Sequence, residues 1–165
     1  MHTTRSKRVL SSTATVTLAI VTLTAGPALA DGSSGHSVLR APLMGSMLAP
    51  ASPQIAGINP GGAPWVNGPS KVRVREDGRI TVTIRGLVIP KPPGTGVNPI
   101  ASVVATLVCD SMVKDSTEPF ALSPAGNGST SDVISVPRHC DDPTVLIQPA
   151  ANRTVYIAST FGDDD

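Results

Sequence analysis

The chain has 165 residues, thirteen Lys and Arg against twelve Asp and Glu, a formal charge of +1, and only one Trp, one Tyr and two Phe. That near-neutral balance excludes the broad basic field on which nucleic-acid binding depends. Four aromatic side chains cannot build both a core and a stacking platform for sugars.

The first thirty residues read as an export segment. Arg5, Lys7 and Arg8 make a positive start, residues 9–24 are apolar and rich in Thr, Gly26 and Pro27 end a helix, and Ala28-Leu29-Ala30 supplies a small-residue cleavage site. The apolar run falls short of the roughly 18 residues that a membrane span needs. Residues 1–30 are therefore expected to be a signal peptide cleaved after Ala30. The product is expected to be secreted, with no transmembrane span left. Cleavage removes three cations, so ten basic and twelve acidic residues remain and the charge becomes −2.

Residues 31–53 are rich in Gly, Ser, Ala and Pro with no sustained period, and read as a flexible leader. His36, Met44 and Met47 are expected there as solvated residues. The folded domain is expected over 54–165.

Prolines scattered through that domain, with no apolar period of 3.6, exclude long helices. Strand patterns are frequent instead. Val72 and Val74 alternate with Lys71, Arg73 and Arg75, and Ile80, Val82 and Ile84 alternate with Arg79, Thr81, Thr83 and Arg85. A three-residue loop, Glu76-Asp77-Gly78, pairs Val74 with Ile80 and Val72 with Val82, which places every branched residue on one face. Gly78 takes the left-handed position that closes such a loop. Lys71, Arg73, Arg75, Arg79 and Arg85 then share the opposite face.

Further strands are predicted at 100–109, 119–123, 132–136, 144–148 and 154–159. In the first, Val103, Ala105, Leu107 and Cys109 share one face and Val104, Thr106 and Val108 the other, so the strand is central rather than edge. Asn127-Gly128 and Asn152-Arg153 read as turns. About seven short strands with turns between them predict an all-β domain, an immunoglobulin-like two-sheet sandwich with a small β-barrel as the alternative. In an exported chain, the two remaining cysteines, Cys109 and Cys140, are expected to form a disulfide.

Gly61-Gly62-Ala63-Pro64-Trp65, followed by the basic hairpin and the two cysteine segments, resembles secreted actinobacterial proteins of unassigned function that carry a Gly-Gly-x-Pro-Trp element. The resemblance covers about residues 55–158. It implies secretion and a β-fold, and brings no active site with it. Physically, the paired glycines let the chain turn and Pro64 stiffens the approach, so Trp65 is delivered to a fixed place. Plugging one end of the sandwich is the expected role, ahead of stacking on a ligand.

Catalytic chemistry has little to stand on. No Gly-x-Ser-x-Gly turn occurs, so a hydrolase would rest on His139, with Asp141 and Asp142 beside it. Zinc lacks ligands once the cysteines pair, since His36 and His139 lie far apart. A Cys109–Cys140 bridge would bring Asp110 towards Asp141 and Asp142, a candidate set for a hard cation that has no calcium-loop spacing. Gly94-Thr95-Gly96 lacks the Lys of a phosphate loop, and no cofactor is implied. The expectation is a non-catalytic domain acting by surface contact with a cell-envelope polymer or protein. The alternative is a small extracellular hydrolase or cation-dependent enzyme at His139, Asp141 and Asp142.

Overall fold

The structure, a computed structural model, describes residues 35–160. The expected signal peptide and the acidic run 163–165 lie outside the described residues. Eleven strands follow one another in this segment: β1 (Ser37–Gly45), β2 (Asn59–Pro60), β3 (Ser70–Arg75), β4 (Arg79–Ile84), β5 (Ser102–Cys109), β6 (Met112–Ser116), β7 (Phe120–Ala121), β8 (Gly128–Val133), β9 (Thr144–Pro149), β10 (Val155–Tyr156) and β11 (Ala158–Ser159). Among the described residues there is no helix.

Nine strands form one curled antiparallel sheet in the order β6-β5-β9-β11-β1-β3-β4-β8, with β7 also paired to β5. The short β2 and β10 pair in parallel as a separate two-stranded sheet. The all-β class therefore stands, but hydrogen bonding is continuous where two separate sheets were expected. The continuity comes from β1, which pairs with β3 from Ser37 to Leu43 and with β11 at Met44 and Gly45.

Over Ser37–Gly45 that strand corrects the reading of 31–53 as a flexible leader. Leu39, Ala41 and Leu43 alternate with Arg40, Pro42 and Met44, so one side of β1 packs inward. Its register shifts between Ser37 and Leu39, where a bulge lets β1 follow the bend of the sheet.

The β3–β4 hairpin has the register its apolar pattern demands. Val74 faces Ile80 and Val72 faces Val82. Gly78 has φ 86°, and its N–H donates to the Arg75 carbonyl at 3.0 Å. An added Cβ at Gly78 would also run into the Ile134 carbonyl oxygen. Val72, Val74, Ile80 and Val82 pack across the curl onto Val103, Ala105, Leu107, Val145 and Ile147. Each such side chain contributes roughly 1.5–3 kcal/mol when fully buried.

The middle strand β5 is buried from Val103 to Cys109 and pairs with β6, β7 and β9. Its other face supports a second cluster, in which Val108, Leu146 and Tyr156 are covered by Ile58 together with Ile55 and Ala56. The Tyr156 hydroxyl donates to the Pro53 carbonyl at 2.6 Å. Burial pushes this phenol above the ordinary tyrosine range, so it stays neutral.

Three other boundaries differ from the sequence pattern. The strand expected at 132–136 runs instead over Gly128–Val133. The segment expected at 154–159 is divided, because Ile157 and Ala158 both stand against Ile147 and both face the main core. The edge strand β6 escaped the pattern because all five of its residues are exposed or half-exposed.

The two edges of the curled sheet are tied by carboxylates. Asp115 in β6 accepts the Ser135 N–H at 2.7 Å with one oxygen and the Ser116 N–H at 2.8 Å with the other. Asp132 in β8 accepts the Glu118 N–H and the Val133 N–H, each at 2.8 Å. These charge-assisted bonds replace a ladder at the place where β6 and β8 approach.

Candidate functional site

Outward residues of β1, β3 and β4 gather the cations. Arg73 is the centre of the arrangement: Arg40 lies directly across from it on β1, and Thr81 directly across on β4. Lys71 and Arg75 stand two residues away along β3 on the same face. Arg79 opens β4 beside Arg75. Together with Pro42 and Thr83 these side chains line an open groove of about 510 Å³. The outward positions continue onto β8 as Ser129, Ser131 and Val133, so the face as described carries cations and hydroxyls and no carboxylate.

Four of the five cations singled out in the sequence, Lys71, Arg73, Arg75 and Arg79, are brought into this groove. Arg85 is not; it lies beyond the end of β4, where its backbone N–H donates to the Ser70 hydroxyl at 2.9 Å. Arg40 was missed, because the segment that carries it looked like an unstructured leader. The alternation of Leu39, Ala41 and Leu43 was the signal that could have found it.

Lys114 forms an ion pair with Asp110 at 3.7 Å, and the His36 ring lies 3.6 Å from the Glu76 carboxylate. Among the described residues no carboxylate pairs with Arg40, Lys71, Arg73 or Arg79. Like charges placed directly opposite in a sheet are destabilising by up to about 1 kcal/mol, and Arg40 against Arg73 is such a pair.

The second candidate region is the disulfide end. Cys109 and Cys140 are bonded, with Cα atoms 4.9 Å apart. The bridge does bring Asp110 to Asp141, whose carbonyl accepts the Asp110 N–H at 2.9 Å. The acidic residues serve the backbone there. Asp110 and Ser111, at φ 54° and 59°, form the two-residue turn between β5 and β6, and Asp142 is left-handed at φ 46°. Aspartate tolerates that conformation better than most side chains. Among the described residues no three His, Cys, Asp or Glu side chains are arranged to hold a metal ion, so Asp110, Asp141 and Asp142 make no cation cage. His139, Asp141 and Asp142 are exposed. None of them lines the adjacent hollow, which is bounded by Val38, Glu76, Val136, Pro137, Arg138 and Cys140.

Trp65 is buried at 4 % exposure in the main core. Its backbone N–H donates to the Ser46 carbonyl at 2.8 Å, and the β1 backbone comes so close that a Cβ at Gly45 would strike the Trp65 carbonyl. The ring is therefore a packing element rather than a platform for a ligand. Above it, Met44, Met47 and Val66 are about half exposed around a shallow apolar hollow.

Compared with known protein families, with curated proteins and with solved structures, the chain shows no match.

Proposed function

We propose that this is an exported, non-catalytic binding domain whose cationic face docks onto an anionic polymer of the cell envelope. The observation that carries the reading is the Arg40–Arg73 pair, two like charges facing each other across strands and paired with no carboxylate among the described residues. A purely solvated outer face gains nothing from that placement, whereas an anionic ligand turns it from a cost into an attraction. Export is supported by the charged, apolar and small-residue pattern of 1–30 and by the disulfide, which suits an oxidising compartment. In this reading the two halves of the curled sheet act as the layers of an immunoglobulin-like sandwich, and the outer face of one layer is the contact surface.

The test is retention on envelope material at rising salt. A cation beside an anionic surface is worth about 1 kcal/mol. Substituting Arg40→Gln, Arg73→Gln and Arg79→Gln together should then weaken binding on the order of a hundredfold at low salt. Wild-type binding should itself fade as salt screens the face. Equal retention of wild type and triple variant, or retention indifferent to salt, would remove the basic face from the account.

A further inference from the structure

We infer that the cationic face selects phosphate groups carried on a sugar or polyol chain over carboxylate groups, an inference that rests on the anion-binding reading above. Arg40 and Arg73 are direct cross-strand partners on one face, a relation that sets Cβ atoms about 4.5–5.5 Å apart. Two planar guanidinium forks rooted so close together approach one oxyanion from two directions. A carboxylate has two oxygens in a single plane, and one fork satisfies both. A phosphate monoester spreads three oxygens tetrahedrally and accepts two forks, with an oxygen left for the hydroxyl of Thr81, the partner of Arg73 on β4.

Charge points the same way. A phosphate monoester carries about −1.5 to −2 near neutrality, which matches two guanidinium groups, whereas a carboxylate leaves one unmatched. Lys71 lies two residues from Arg73 on the same face, about 6.6 Å along the strand. A second phosphate further along the same chain would therefore meet a cation of its own. Among the described residues no aromatic side chain lines the groove. Single-stranded nucleic acids are held largely by base stacking on aromatic rings, so a phosphorylated glycan or polyol fits this surface better than a nucleic acid does.

The experiment uses the full chain and three dextrans of equal length and substitution, bearing phosphate, sulfate or carboxymethyl groups, with a single-stranded oligonucleotide as a fourth probe. At about pH 7.5 phosphate-dextran should bind at least tenfold tighter than carboxymethyl-dextran. That advantage should shrink at about pH 5, where the phosphate monoester loses its second charge. The double variant Arg40→Lys and Arg73→Lys keeps the charge and removes the forks. It should still bind in a salt-dependent way, with the preference for phosphate cut below threefold. Equal affinity for phosphate- and carboxymethyl-dextran would overturn this inference and leave the anion-binding reading standing. Tighter binding of sulfate-dextran or of the oligonucleotide would overturn it in favour of that ligand. Binding to none of the four would overturn both readings.

Discussion

Replacing Asp115 by Asn tests whether carboxylates hold the open side of the curled sheet together. In the folded chain this side chain accepts two backbone N–H groups, from Ser116 within its own strand and from Ser135 after β8. An Asn offers one acceptor oxygen, so its NH₂ group would face a second N–H donor. One charge-assisted bond is lost and a donor is set against a donor. A hydrogen bond to a charged group contributes about 1.5–3 kcal/mol, and partial exposure places this one at the lower end, giving a destabilisation of about 1–2 kcal/mol. For a domain of this size that corresponds to a drop in Tm of roughly 4–8 °C. The pH dependence gives a second reading. The Ser135 and Ser116 N–H groups hold the Asp115 carboxyl below the usual carboxylate range. The stability it contributes is therefore full above its unfolded value near 3.9 and is lost as the pH falls through the lower folded value. Urea unfolding of both proteins, followed by circular dichroism, should show a gap at about pH 6 that narrows as the pH falls below about 4. A gap that stays constant over this range, or a variant as stable as the wild type at pH 6, would refute the reasoning.

Three further outcomes are expected. Replacing Cys109 and Cys140 together by Ala opens a loop with a sequence separation of 31. Chain-entropy arguments put the loss at roughly 3–4 kcal/mol, which a urea midpoint measured against the oxidised wild type would detect. Gly45→Ala drives a methyl group into the Trp65 carbonyl. It should cost about 1–3 kcal/mol, and an unchanged Tm would show that the backbones can part freely. The buried Asn98 side chain donates to the Ile100 and Ser123 carbonyls at 2.6 and 2.9 Å and accepts the Ile100 N–H at 2.8 Å. Asn98→Ala should lower stability by about 2–3 kcal/mol, and faster amide exchange at Ile100 would localise the damage.

Parts of this architecture were legible in the sequence because they follow local rules. The β3–β4 hairpin was readable to the residue, since only one loop length puts Val72, Val74, Ile80 and Val82 on a common face. A run apolar on both faces, with Thr106 its one polar residue between Val103 and Cys109, marked β5 as interior. What stayed hidden depended on distant partners. The apolar alternation in β1 is brief and is interrupted by Pro42, and nothing nearby announces that Ser70–Arg75 will pair with it. The edge strand β6 buries little and so leaves no periodic trace. Arg40 went unnoticed for the same reason as its strand, so the basic hairpin looked like an ordinary solvated face until β1 was laid beside it. The aspartates at the disulfide resembled ligands in sequence, and only their positive φ angles identify Asp110 and Asp142 as turn residues.

The strand that joins the two halves of the sheet also bears on when the fold can be completed. Met44 pairs with Ser159, a partner about 115 residues later in the chain. A ribosome, or a secretion channel delivering the protein from its N-terminal end, releases β1 long before β11 exists. Pairings of such long range are slow to form. The last rungs to close should therefore be those between the first strand and the last, and until then Leu39 and Leu43 have an incomplete shelter. A newly made molecule would spend that interval open along this seam, most exposed to proteases and to other unfinished copies.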